Sequence, residues 1–212
     1  MMSVIRAKHL IVVLALCALS SLAADAQNSY FPPRAFDGIA RNSDFMGNWY
    51  SHELMLLGEA SYLDVARNHA AHSYRFTWLR TFNQPIAVRL DVLEDGSAVL
   101  TTKIASGESG FPRTTTTIVE NTSRILTSKQ VNDFLIRVDK VMFWTTPSHI
   151  SGDQTGTDGS EWIIEAVRGG KYHIAARWSP GPNQPSKSAV RELGLALAID
   201  LAQLKIPANE LY

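Results

Sequence analysis

Glu161, Glu165, His173 and Arg177 are the residues of this chain whose types and spacing best suit chemistry. They flank Arg168-Gly169-Gly170, a turn signal between two β-prone segments, Glu161–Val167 and Lys171–Trp178. The register of that hairpin decides whether they meet. With three loop residues, Trp162, Ile164 and Ala166 share a face with Tyr172, Ile174, Ala176 and Trp178. The other face then pairs Glu165 with His173 and Glu161 with Arg177. A two-residue loop puts the carboxylates on the aromatic face instead. The three-residue turn separates apolar from charged side chains, so it is the register expected, with one glycine in the left-handed region. On such a face a carboxylate orients His173 for acid–base work and Arg177 holds an anion. Ordinary cross-strand ion pairs on a solvated sheet face are the plainer use of the same residues. Trp178 opens a stiff, proline-rich loop, Ser179–Pro185, which costs little to dock against a partner. Glu161, Glu165, His173, Arg177 and Trp178 are therefore the candidate binding residues, and no catalytic residue is assigned.

Two other constellations are weaker. His69 and His72 stand at i,i+3 near His52, Glu53, Glu59 and Asp64. On a helix they would project from one side, but the spacing is not that of a zinc-protease helix, and a surface role is the expectation. The loop Ser148–Ser160 carries His149, Asp153, Thr155 and Asp158. It lacks the calcium-loop pattern, because Asp158 falls where that loop needs glycine; Asp158-Gly159 reads as the turn into the next strand. No metal or cofactor is expected. Ser106-Gly107-Glu108-Ser109-Gly110 misses the nucleophile elbow by one position, and neither a Walker loop nor a dinucleotide fingerprint occurs.

The elements that must position these residues follow from periodicity. Ser51–Ala71 has helical spacing broken at Gly58 and reads as one or two short helices. Tyr74–Phe82 alternates as a strand with Tyr74, Phe76, Trp78 and Phe82 on one face. Ile86–Leu93 and Ala98–Ile104 form a hairpin around Glu94-Asp95-Gly96-Ser97. A three-residue loop there pairs Val88, Leu90 and Val92 with Ile104, Thr102 and Leu100, and Arg89 and Asp91 with Lys103 and Thr101. Arg113–Glu120 is Thr-rich and reads as the next strand. Thr127-Ser128-Lys129-Gln130 is a capping box opening a helix whose apolar stripe is Val131, Phe134, Leu135, Val138, Val141 and Met142. A final helix over Ala189–Leu204, capped by Ser188, buries most of its sides. Runs of strands, rather than strict strand–helix alternation, predict an α+β fold. It is a single antiparallel sheet of five to six strands built from hairpins, with helices packed on one face.

The chain balances 20 Lys+Arg against 20 Asp+Glu, which argues against nucleic-acid binding. Arg6 and Lys8, the apolar run Leu10–Leu19 and the small-x-small site Ala24-Asp25-Ala26 read as a signal peptide over 1–26. A retained N-terminal anchor is the alternative, although the run is short for a membrane span. Cys17, the only cysteine, lies inside that segment, so no disulfide is expected and an ordinary hydrophobic core must hold the fold. Residues 27–47 read as a flexible N-terminal arm and 48–212 as one α+β domain.

Trp49-Tyr50-Ser51, Arg80-Thr81-Phe82 and Pro85–Leu90 form one block, and Asp158-Gly159-Ser160-x-Trp162-Ile163-Ile164-Glu165, Gly170-Lys171-Tyr172-His173 and Arg177-Trp178-Ser179-Pro180 a second. Together they resemble a family of uncharacterised proteobacterial exported proteins. The resemblance implies an envelope location and carries over no catalytic residue. The functional expectation is an exported, non-enzymatic binding protein of the periplasm or envelope, whose protein or small-ligand partner meets the Glu165, His173 and Arg177 face and the Ser179–Pro185 loop, an inhibitor or immunity-like protein being one specific form. The alternatives are a periplasmic hydrolase using His173 with Glu165 or Glu161, and a structural envelope protein.

Overall fold

The computed structural model describes residues 30–37, 43–110, 115–151, 156 and 158–211. The segment read as a signal peptide lies outside these residues, as do Asp153 and Thr155 of the Ser148–Ser160 loop. Six strands build one antiparallel sheet: β1 (His72–Arg80), β2 (Ile86–Val92), β3 (Ala98–Ala105), β4 (Ile118–Leu126), β5 (Ser160–Arg168) and β6 (Lys171–Trp178). Their order across the sheet is β4-β3-β2-β1-β5-β6. The helices are α1 (Ser43–Leu56), the single turn α2 (Tyr62–Val65), α3 (Ser128–Lys140) and α4 (Ser188–Leu195), which continues as a π-helical turn, Ala196–Leu201. Among the described residues no helix is long and apolar enough to cross a membrane.

The α+β antiparallel architecture is the one expected. The helices, however, lie on both faces rather than one. Tyr74, Phe76, Trp78, Val88, Leu90, Trp162 and Ile164 pack against Val131, Phe134 and Val138 of α3 and Val190 and Leu193 of α4. The alternate residues Leu79, Ile163, Ile174 and Ala176 pack against Met46, Tyr50 and Leu54 of α1 and against Phe31 and Phe36 ahead of it. Part of the expected flexible arm is thus a core layer. Phe31, Phe36 and Tyr50 meet edge-on with ring centroids 5.1–6.2 Å apart, which docks the segment.

The capping box forms as expected: the Gln130 amide donates to the Thr127 hydroxyl and the Gln130 side chain accepts from the Thr127 amide. α3 ends at Lys140, and Met142, expected on its apolar stripe, instead adopts a left-handed conformation beyond the helix and is exposed. The strand expected over Arg113–Glu120 is instead Ile118–Leu126, a polar edge strand in which neither sheet face demands apolar alternation. β1 ends at Arg80, so Phe82 stands outside the sheet and exposed.

Both hairpins depart from the expected register. In the first, the loop is Glu94-Asp95-Gly96, closed by the Leu93 amide on the Ser97 carbonyl at 2.8 Å. Leu90 therefore faces Leu100 and Val88 faces Thr102. The faces are those expected, but the pairing shifts by two residues, because left-handed Gly96 ends the loop instead of centring it. In the second, the loop is only Gly169-Gly170, with Arg168 opposite Lys171. Both glycines have positive φ, 58° and 77°, the conformation a two-residue hairpin of matching twist requires. Glu165 consequently faces Ile174, and His173 faces Ala166. Trp162 is fully buried, whereas Trp178 lies on the opposite face and is only partly covered.

α4 approaches the sheet through Gly194. A Cβ there would fall 2.7 Å from Trp162 Cε3 and 3.1 Å from Phe76 Cε2. Gly194→Ala is expected to lower unfolding free energy by about 1–3 kcal/mol through overpacking. Urea titration checks this, and an unchanged midpoint would mean that α4 has slack against the sheet.

Candidate functional site

The two-residue turn divides the candidate residues between the two sheet faces. Glu161 and Glu165 lie beneath α1 and the N-terminal segment, and both are buried. His173 and Arg177 lie on the opposite face, and Arg177 is buried too. Trp178 is half-buried at the end of β6. The five residues do not form one exposed surface, and His173 meets neither carboxylate.

Glu165 belongs instead to a charge cluster built around Arg75. Strand pairing sets Arg75 directly opposite Glu165 on one side and Arg89 on the other. Arg75 Nε and Nη2 donate to Glu165 Oε2 at 2.9 and 2.6 Å. Its Nη1 donates to the Ala60 carbonyl at 2.7 Å and approaches Glu59 Oε2 at 3.4 Å. The guanidinium carbon stands 4.2 Å from the centroid of the Tyr62 ring. Tyr172 donates to Glu165 Oε1 at 3.1 Å.

Glu59 joins the remaining cations. Its Oε2 accepts from Arg89 at 2.9 Å, and its Oε1 pairs with Lys103 at 2.9 Å. Two arginines directly opposite each other repel, and the shared carboxylate cancels that repulsion. Local backbone chemistry delivers it: Gly58, at φ 61°, ends α1 in a Schellman turn, with the Glu59 amide on Leu54 O and the Gly58 amide on Met55 O. The cluster continues outward through Arg89 Nε to Asp91 at 2.9 Å, Ser73 to Asp91 at 2.6 Å, and Tyr62 to Ser73.

Burial works against the Glu59 charge, but Arg75, Arg89 and Lys103 overcome it and hold its pKa below the ordinary value. Burial dominates at Glu165 and raises its pKa, with Arg75 and the Tyr172 hydroxyl opposing. Arg75 is buried as well, yet its carboxylate partners hold it more firmly charged than usual.

On the other face His173 packs edge-on to Phe143, centroids 4.9 Å apart, with its Nε2 3.0 Å from the Thr146 carbonyl. Burial lowers its pKa below 6.5, and the carbonyls of Thr146 and Phe143 only partly offset this. Arg177 is a bolt between loops: its guanidinium donates to the carbonyls of Pro147 (2.9 Å), Ser148 (3.2 Å), Ala176 (2.7 Å) and Ser186 (3.3 Å).

This bolt braces the loop after Trp178. Ser179 has φ 38°, a conformation costly for a residue with a side chain. Its amide donates to Ser160 O at 2.8 Å, and its hydroxyl accepts from the Ser160 amide at 3.0 Å. Lys187 Nζ donates to the Trp178 carbonyl at 2.6 Å, and the Gly181 amide donates to the Gln184 side chain at 3.0 Å. Residues 182–185 are exposed.

The histidine constellation does not gather, and the Ser148–Ser160 one lies partly outside the described residues. α2 ends before His69, which lies against Gly170, and His72 Nε2 is 3.2 Å from the Tyr74 hydroxyl. Among the described residues no group of three His, Cys, Asp or Glu is arranged to hold a metal ion. Asp158-Gly159 precedes β5, as expected of a turn. A groove of about 130 Å³ between α3 and the π-helical turn is lined by Gln130, Phe134 and Leu201 and bridged by Arg137 on Asp200 at 2.6 Å. It is smaller than the several hundred Å³ typical of small-molecule sites.

The sequence reading missed Arg75 and did not connect Glu59 with Glu165. The available signal was that Arg75, Arg89, Lys103 and Glu165 all occupy the non-aromatic phase of their strands. Against known proteins, no family model matches the chain, and no curated protein matches it in sequence.

Arg75→Met leaves the buried Glu165 carboxylate with the Tyr172 hydroxyl but no cation, and is expected to cost about 3–5 kcal/mol, while adding Glu165→Leu recovers part of the loss. Urea denaturation of the single and double variants checks this, and a single variant as stable as wild type would mean the cluster is energetically idle. The folded His173 imidazole binds its proton more weakly than the unfolded one. Its contribution is therefore complete above the unfolded value of 6.5 and is lost as pH falls toward the lowered folded value. His173→Gln should shrink the drop in urea midpoint between about pH 7.5 and about pH 5.5. An undiminished drop would show that His173 does not titrate in this way.

Proposed function

We propose that this chain is an exported, non-enzymatic binding protein of the bacterial periplasm or envelope, and that it engages a protein partner through the loop 179–185 beside Trp178. The observation that carries this reading is the bracing of that loop. A strained Ser179, the Lys187 contact and the Arg177 bolt, which reaches the Ser186 carbonyl, anchor both ends of an exposed, proline-rich segment. A preordered loop loses little entropy on docking. An inhibitor or immunity-like protein is the specific form that such a loop suits.

The hydrolase alternative lacks support from the geometry, because His173 and the carboxylates Glu161 and Glu165 stand on opposite sheet faces and the required hydrogen bond is not made. Export rests on the character of residues 1–26 and on the resemblance to proteobacterial exported proteins.

The test is a photo-crosslinking amino acid at Asn183 in the full chain, with one at exposed Lys129 on α3 as control, expressed in a proteobacterial host. The expected result is a discrete protein adduct from position 183 alone, on chain whose N-terminus is Gln27. Adducts from neither or from both positions would overturn the loop assignment. Chain retained in the cytoplasm with Met1 intact would overturn export.

A further inference from the structure

The two edges of the sheet differ. At β6 the Ala176 amide is satisfied by the Ser148 carbonyl at 2.7 Å, and Arg177 holds the same loop over the edge. At β4, among the described residues, no backbone group outside β3 bonds to the strand. Every second residue of this nine-residue strand thus presents its amide and carbonyl outward. Natural edges of this length are usually blunted by lysine, proline or a bulge. β4 contains neither lysine nor proline, and its irregularity sits at one end, opposite Ile104/Ala105.

The sequence of β4, Ile-Val-Glu-Asn-Thr-Ser-Arg-Ile-Leu, is complementary to its own reverse. In antiparallel pairing centred on Thr122, Glu120 faces Arg124 of a second strand and Arg124 faces its Glu120. Asn121 faces Ser123, and Val119 and Ile118 face Ile125 and Leu126. Each pair matches in character, and the charged pair occurs twice. Among the described residues neither Glu120 nor Arg124 is in an ion pair, and Arg124 Nε is buried without a hydrogen-bond partner. Val119 and Ile125 are 54% and 67% exposed, large values for apolar side chains in a strand.

We propose that β4 pairs antiparallel with β4 of a second copy of this chain, across a two-fold axis at Thr122, joining the two sheets into one. The contact is isologous, so it closes on itself and leaves no further edge of this kind open. Backbone hydrogen bonds supply adhesion, and the mirrored Glu120–Arg124 contacts set the register that a bare edge leaves free to slip. This inference does not depend on the binding reading of the 179–185 loop.

The experiment is sedimentation equilibrium on the chain up to millimolar concentration, with Glu120→Arg, Arg124→Glu and the double swap, each first shown by thermal melting to be folded. Wild type is expected to dimerise. Either single reversal sets like charges opposite each other twice and should weaken the dimer at least about tenfold. The double swap should restore it. Mixing the two single variants should also restore a dimer, since each then supplies the charge the other lacks. A wild type monomeric throughout overturns the proposal. So does a dimer indifferent to both reversals, or reversals that neither the swap nor mixing rescues.

Discussion

A guanidinium sealed from water dictates much of this architecture. Arg75 projects from the middle of the central strand pair into a layer that α1, α2 and the N-terminal segment close off. An unpaired charge there would cost several kcal/mol, so the covering layer must bring opposite charge with it. Glu165 arrives across the strand pairing. Glu59 arrives only because the Schellman turn at Gly58 ends α1 and aims the next side chain back at the sheet. The Ala60 carbonyl and the Tyr62 ring, immediately after, complete the enclosure. The end of α1, the start of α2 and the sheet are thus locked together electrostatically as well as by packing.

The two sheet faces solve different problems. The aromatic face gathers Phe76, Trp78 and Trp162 with centroids 4.8–5.6 Å apart, and α4 approaches closely because Gly194 has no side chain. That face obtains its energy from area removed from water. The opposite face mixes an apolar end, built on Phe31, Phe36 and Tyr50, with the charge cluster, whose geometry tolerates few alternatives. Its pairing of Glu165 with Arg75 removes from the surface a carboxylate that looked chemical in the sequence. Arg177 is consumed in the same manner by four loop carbonyls.

Much of the fold was legible because period and capping are local properties. Thr127 and Gln130 satisfy each other across one turn, and Tyr74, Phe76 and Trp78 alternate whatever lies above them. The candidate site was far less legible. Pairing Glu165 with His173 rested on separating charge from aromatic surface, which assumes that one face meets water. Here both faces are covered, so the criterion has no force, and Gly169-Gly170 instead obeys the twist that a two-residue turn demands. Arg75 was silent for the same reason, since a polar residue alternating with aromatics reads as solvent-facing.

By itself, the sequence determined the α+β class, the antiparallel hairpin architecture, most of the aromatic core and the capped third helix, because each depends on neighbours within a few residues. Only the tertiary structure decided which charges meet. It set the second hairpin one residue away from the polar pairing, folded residues near Phe31 and Phe36 over the sheet and carried Glu59 to Arg75. Those outcomes depend on long-range burial: a charged side chain has one environment in water and another beneath a covering layer, and the pattern along a strand is the same in both.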